Sequence, residues 1–437
     1  MQDWREYYNE RLTTAEEAVK HIPNNSDLWL AHAVGEPPTL TKAMIDNYEQ
    51  YENVRVHHMV RLGPVDYTLE GMEGHFIENP MFSGANNRAA LADGRADYSP
   101  VYLHEAPKML REGDLNCDVL IVQVSPPDEA GYVSFGVSCD YTVQANISAK
   151  ITIAQVNPNM PRTWGETQVP VTNFEYFVEA EDDLYEIQPP KIDETAKLIG
   201  EHCASLVEDG STLQLGIGAI PDAVCLFLKD KKHLGIHSEM IADGTLELVK
   251  AGVIDNSMKS VDKDRLSVTF LMGTRALYDW ADDNPALIMR PSNYINHPAV
   301  VMQQYKMVCI NSAIEVDMMG QVASEAMGLK QFSGPGGQVD FVRGASMAEG
   351  GKSIIAMPSV TIKRDGTIIS KIVPFLQPGA AVTTTRNDVH YVVTEYGIAP
   401  LKGKSLRQRA KNLINIAHPD CKQPLIDEYE KRFGEKY

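Results

Sequence analysis

Short apolar runs that end in proline and glycine alternate with helical stretches along the first half of the chain. That alternation restricts the fold more than any other feature. Leu28-Trp29-Leu30-Ala31-His32-Ala33-Val34 is closed by Gly35-Glu36-Pro37-Pro38. Residues 39–51 have helical spacing, and residues 54–60 return to a strand pattern. The run 119–124 stops at Ser125-Pro126-Pro127, and the run 150–156 stops at Asn157-Pro158-Asn159. Strands of this length alternating with helices predict a parallel sheet covered by helices. Loops at the carboxyl ends of such strands are where open α/β sheets bind ligands.

The pattern then restarts. An acidic run, Glu179-Ala180-Glu181-Asp182-Asp183, followed by Pro189-Pro190, reads as a linker. At 437 residues the chain is too long for one core, so we expect two domains, 1–188 and 189–437. In the second, a helix over 193–207 leads to a strand at 212–215. Further strands are expected at 266–271, 307–314, 353–356 and 391–394, and a surface helix at 425–433. The fold class expected is α/β, with two open α/β domains, mainly parallel sheets and the active site in the cleft between them.

Composition narrows the function. A formal charge of −19 argues against nucleic acid and anionic membrane as partners. Any anion site must therefore be built locally, from helix N-termini and a few Lys or Arg. The first eight residues lack the apolar core of a signal peptide, and no apolar run has the length of a membrane span. Six scattered cysteines without a C-x-x-C pair read as buried free thiols in a reducing cytoplasm.

Three stretches could carry chemistry. Gly235-Ile236-His237-Ser238-Glu239-Met240-Ile241-Ala242-Asp243-Gly244 places one carboxylate, Glu239, on a turn between glycines, as a solvated acid or a nucleophile. Gly216-Ile217-Gly218-Ala219-Ile220-Pro221 follows a strand and opens a helix, like a dinucleotide fingerprint. Pro221, however, stands where the third glycine would be, and no acidic residue ends a second strand. What remains is an anion or oxyanion site at a helix N-terminus. Phe332-Ser333-Gly334-Pro335-Gly336-Gly337-Gln338 has more glycine than a plain turn needs. Other candidates fail. Residues 344–353 have the wrong spacing for a phosphate-binding loop, Gly235 breaks the helix that His233 and His237 would need to bind zinc, and Ser238 has no recognisable base.

In this order and spacing, the two glycine loops and His237-Ser238-Glu239 resemble the family I CoA-transferases, in the branch of 4-hydroxybutyrate CoA-transferase and butyryl-CoA:acetate CoA-transferase. The likeness extends through Tyr294-Ile295-Asn296-His297-Pro298 and Val393-Thr394-Glu395-Tyr396-Gly397. The resemblance implies CoA transfer between a short-chain acyl-CoA and acetate, ping-pong through a glutamyl-CoA thioester on Glu239. An acyl-CoA hydrolase on the same scaffold is the alternative. It also implies oxyanion donors at Ile217 and in Gly336-Gly337, because Pro335 has no N–H to give. Coenzyme A, a substrate rather than a bound cofactor, is expected along Gln214, Leu215, Gly216, Ile217 and Gly218 and along Gly334, Gly336 and Gly337. Lys363 is assigned to its phosphates by composition, ahead of Lys402, Lys404 and Arg407. Residues 83–88 and 126–132 are the expected acyl-facing loops. No metal and no permanently bound cofactor are expected; the partners are acyl-CoA, small carboxylic acids and further copies of the chain, as a homodimer or larger homo-oligomer.

Overall fold

A computed structural model describes residues 3–64 and 66–437. Met1, Gln2 and Val65 lie outside the described residues. The chain forms two compact units. The first contains Met1–Gln188 and Ser267–Ile295, the second Pro189–Leu266 and Asn296–Tyr437. The single boundary expected after residue 188 therefore does not account for 267–295, which pack with the first unit.

The first unit is built on six parallel strands, β1 (Asp27–Leu30), β2 (Val54–His58), β3 (Phe76–Pro80), β4 (Val119–Val124), β5 (Ile151–Val156) and β6 (Tyr176–Glu179), in the order 3-2-1-4-5-6. Alternate residues pack into two separate cores. Trp29, Leu120, Val122 and Val124 belong to one, and Leu28, Leu30, Val119 and Ile121 to the other. A sheet buried on both faces explains why β4 is buried throughout and apolar at every position but Gln123. One strand carries no such signature. Phe-Ile-Glu-Asn-Pro of β3 places Glu78 in the interior, where His58 Nε2 (2.8 Å) and Arg61 Nε (3.2 Å) donate to it.

The second unit repeats the plan with β7 (Thr212–Gln214), β8 (Gly235–Ile236), β9 (Met307–Asn311), β10 (Lys352–Ala356), β11 (Tyr391–Thr394) and β12 (Gly397–Pro400), in the order 8-7-9-10-11-12. All pairs are parallel except the last. The expected helix over 193–207 is Glu194–Ser205, started by Asp193, whose side chain accepts from Ala196 N. It crosses the helix Ala219–Phe227 so closely that a Cβ on Gly200 would lie 2.7 Å from Ala223. The order reverses between β7 and β9, and in open α/β sheets ligands enter at such a reversal, beyond the carboxyl ends of the strands.

Candidate active site

The first glycine loop occupies that position. After β7 the chain passes through Leu215, Gly216, Ile217 and Gly218 into the helix Ala219–Phe227. Gly218 has a φ of 118°, which side chains of L-residues rarely adopt, so the abrupt entry into the helix requires glycine. Gly216 serves differently. A Cβ there would meet nothing within 4 Å, so its missing side chain leaves the backbone open to a ligand. A cleft of about 360 Å³ opens at the loop, lined by Thr195, Gly216, Ile217, Gly218, Asn311 and Pro358 among others. Gln214 is already paired, because Asn311 Nδ2 donates to its Oε1 at 2.9 Å across the neighbouring strand. Leu215 is buried and Ile217 is exposed.

Glu239 follows β8 and precedes the short strand Met240–Ile241. Its main chain is fixed by its neighbours. His237 N donates to Leu213 O (3.1 Å), and Ile236 O accepts from the buried Lys259 ammonium (2.7 Å). Ser238 Oγ both donates to Leu215 O (3.1 Å) and accepts from Leu215 N (3.3 Å). The serine beside the acid is thus a tie between the Glu239 turn and the first glycine loop, which accounts for its lack of a base.

The half-buried carboxylate meets two partners from distant sequence. Asn296 Nδ2, on a fully buried side chain, donates to Glu239 Oε2 at 2.8 Å. Gly337 lies directly beneath the same oxygen: a Cβ there would come closer than 3.0 Å to both Glu239 Oε2 and Asn296 Nδ2. Gly337 caps the helix Gln338–Met347, so the carboxylate sits at a helix N-terminus, where negative charge is favoured by about 0.3–1 kcal/mol. Gly334, Pro335, Gly336 and Gly337 are all buried, and Gly336 has a φ of 51°. Glu239, Ile217's loop and the Gly336-Gly337 corner therefore belong to one unit and one ensemble of contacts. Asn296 is the residue that sequence reasoning did not single out, although it lies inside a stretch that carried the family likeness.

Lys363 is exposed at the turn of the hairpin Val360–Ile362/Ile368–Ser370, where its N–H donates to Thr367 O. Lys402 and Lys404 are also exposed, and Arg407 faces Glu435 (3.6 Å). Lys371, at the far end of that hairpin, is half-buried. Burial holds its ammonium below the ordinary lysine value, with Glu395 opposing the shift. Glu395 accepts from Ser359 N (2.8 Å) and Oγ (2.6 Å), and Ser359 adjoins Pro358 of the cleft. The two loops expected to face the acyl group spend their polar groups within the first unit. Ser83 and Gly84 bond Asn87, and Arg162 ties Pro126 O, Asp128 and Tyr132 O together. Among the described residues no group of three or more His, Cys, Asp or Glu could hold a metal ion, and no helix is long and apolar enough to cross a membrane. The six cysteines are free, and all but Cys421 are buried.

Comparison with known proteins gives the family. The acetyl-CoA hydrolase/transferase N-terminal domain model matches residues 1–187, and the C-terminal domain model of the same family matches 273–429. The chain is 55% identical to 4-hydroxybutyrate coenzyme A transferase of Clostridium kluyveri, over 99% of this chain and 100% of that one. It resembles the crystal structure of RipA from Yersinia pestis, at 36% identity and a TM-score of 0.92, covering 99% of this chain and 100% of that one. It also resembles that of 4-hydroxybutyrate CoA-transferase from Porphyromonas gingivalis, at 38% identity and a TM-score of 0.83, with the same coverage. The chain belongs to the acetyl-CoA hydrolase/transferase family and is a CoA-transferase.

Proposed function

We propose that this enzyme moves CoA between a short-chain acyl-CoA, 4-hydroxybutyryl- or butyryl-CoA, and acetate, with Glu239 as the nucleophile. The observation that carries this reading is the Glu239 carboxylate held by Asn296 against Gly337 at a helix N-terminus. The carboxylate attacks the thioester carbonyl, and the tetrahedral oxyanion collapses to a mixed anhydride with release of the CoA thiolate. The thiolate then attacks the glutamyl carbonyl, expelling the first acid and leaving a glutamyl-CoA thioester. The second carboxylate attacks that thioester, CoA leaves again, and its attack on the acyl half of the new anhydride frees Glu239. Each step passes through an oxyanion. Backbone N–H groups of Ile217, Gly336 and Gly337 and the Asn296 amide are the donors available, and losing one such donor costs about 2.7–4 kcal/mol.

Coenzyme A would lie along the 214–218 loop and the Gly334–Gly337 corner, with Lys371 a better-placed cation than Lys363. Intact-protein and peptide mass after incubation with butyryl-CoA tests the proposal. A CoA-sized adduct on the Glu239 peptide, discharged by acetate as acetyl-CoA, is expected. Steady release of free CoA without an acceptor would instead mark a hydrolase. An adduct retained in Glu239→Ala would remove Glu239 from its role.

A further inference from the structure

The turn that presents Glu239 contains a histidine that the transfer chemistry above does not use. His237 is fully buried two residues before the carboxylate. Its ring meets Phe341 edge-on, with centroids 6.3 Å apart. Phe341 stands one turn into the helix Gln338–Met347, and Gly337 at the head of that helix lies beneath Glu239. The ring and the carboxylate are therefore set against the same end of one helix.

Gln304, also fully buried, fixes the state of the ring. Its amide can stand only one way round. Oε1 accepts from Ser260 N (3.1 Å) and Val261 N (3.3 Å), and Nε2 donates to Val261 O (3.0 Å). Turning the amide over would set donor against donor and acceptor against acceptor at all three. The other hydrogen on Nε2 faces His237 Nδ1, with the nitrogens 3.3 Å apart. An amide N–H only donates, so Nδ1 must offer a lone pair and the ring carries its proton on Nε2. An imidazolium would bring an Nδ1–H against the amide N–H. The ionisable groups on the segments around the ring pull both ways. Lys259, whose ammonium donates to Ile236 O (2.7 Å), disfavours a second positive charge. Glu239 in the same turn, Asp262 beside Val261 and Asp340 beside Phe341 favour one. Gln304 decides between them.

We propose that Gln304 is a positioning residue of the transfer reaction: it holds His237 neutral with the proton on Nε2, which fixes the turn that presents Glu239 and keeps positive charge away from it. This rests on the reading of Glu239 as the nucleophile. An imidazolium beside Glu239 would draw the carboxylate into an ion pair, and a rotated ring would shift Phe341 and the helix end that carries Gly337.

The test takes ring-nitrogen NMR spectra of the full-length, ¹⁵N-histidine-labelled enzyme from about pH 5 to 8, where a free histidine titrates. The His237 signals are those absent from His237→Gln. In the wild type they should show a protonated Nε2 and a bare Nδ1 throughout. In Gln304→Glu the new carboxylate accepts from Nδ1, so a proton appears there. Its kcat with butyryl-CoA and acetate should fall by about 10–100-fold while KM for butyryl-CoA stays within about threefold, the mark of a misplaced reacting group. Gln304→Met removes the donor without adding charge, so its ring should titrate within the range; it reads the same signals should Gln304→Glu not fold. A wild-type ring that titrates or holds its proton on Nδ1 would overturn the assignment. So would a fall in kcat with the ring unchanged in both variants, which marks a merely structural residue, or a changed ring with kcat within about threefold of wild type. Transfer that survives in Glu239→Ala would overturn the nucleophile reading instead, whatever the ring signals show.

Discussion

Replacing Gly337 by alanine is the sharpest perturbation of the site, because the structure isolates its effect. The φ and ψ of Gly337 are −94° and 4°, which an alanine can adopt. What alanine cannot do is fit. Its Cβ would lie 3.1 Å from Glu239 Cδ and closer than 3.0 Å to Oε2 and to Asn296 Nδ2. Either the carboxylate swings away or the corner moves by about an ångström, and a misplacement of that size typically costs about 100-fold in rate. Swinging away also breaks the 2.8 Å bond from Asn296. A hydrogen bond to a charged group is worth about 1.5–3 kcal/mol, or about 10–150-fold. Because the Glu239 side chain is only half-buried, it can move without unfolding the protein. Gly337→Ala should therefore lower kcat/KM for acyl-CoA by about 10²–10³-fold at an essentially unchanged melting temperature. Stopped-time assays of acetyl-CoA formation and a thermal melt measure both. A variant active within about threefold of wild type, under 1 kcal/mol, would refute the placement of Glu239 against Gly337.

Gly216→Ala separates steric fit from ligand approach. Its Cβ meets no protein atom, so the melting temperature should hold while KM for acyl-CoA rises about tenfold, the mark of lost ground-state binding; an unchanged KM would place the coenzyme elsewhere. Lys371→Ala should raise KM for acyl-CoA by about tenfold, the scale of one charge-assisted contact, whereas Lys363→Ala should leave it unchanged. The reverse pattern would restore the exposed hairpin tip as the cation. Burial lowers the His390 pKa from 6.5 to about 4. The folded state then binds fewer protons than the unfolded state between those values, so stability is full above pH 6.5 and falls as pH drops toward 4. At about 1.4 kcal/mol per tenfold change, the loss is about 3 kcal/mol, and urea midpoints across that range should flatten in His390→Gln.

What the sequence discloses about this molecule follows from where its information is local. Central strands such as Val119–Val124 are apolar on both faces because helices cover both, and they are legible at once. β3 is not, because Glu78 and Asn79 are acceptable inside only once His58, Arg61 and Ser99 are brought to them by the fold. The same division runs through the site. Glycine loops flanking a lone glutamate are short-range patterns, and their order carried the family likeness. Asn296 is 57 positions from Glu239, and nothing about one asparagine foretells that pairing. Composition pointed to Lys363, whereas the half-burial of Lys371 and the nearness of Glu395 to it exist only in the folded chain.

The site also resolves a conflict set by the composition. An acidic chain of formal charge −19 must accept substrates that carry several negative charges, and long-range attraction works against it. The second unit answers with dipoles instead of net charge. Both glycine loops end in helices, Ala219–Phe227 and Gln338–Met347, whose first N–H groups are unpaired within the helix. These groups act over a few ångströms, which makes them insensitive to the protein's overall field. Asn296 adds a neutral donor at the Glu239 carboxylate, where a lysine or arginine would form an ion pair and lower the reactivity that the proposed nucleophilic role requires. Association should therefore be slow relative to enzymes with basic clefts and should quicken with added salt, as screening relieves the repulsion. A second-order rate constant that falls as ionic strength rises from about 10 to 150 mM would show that concentrated cations, not backbone dipoles, draw the substrate in.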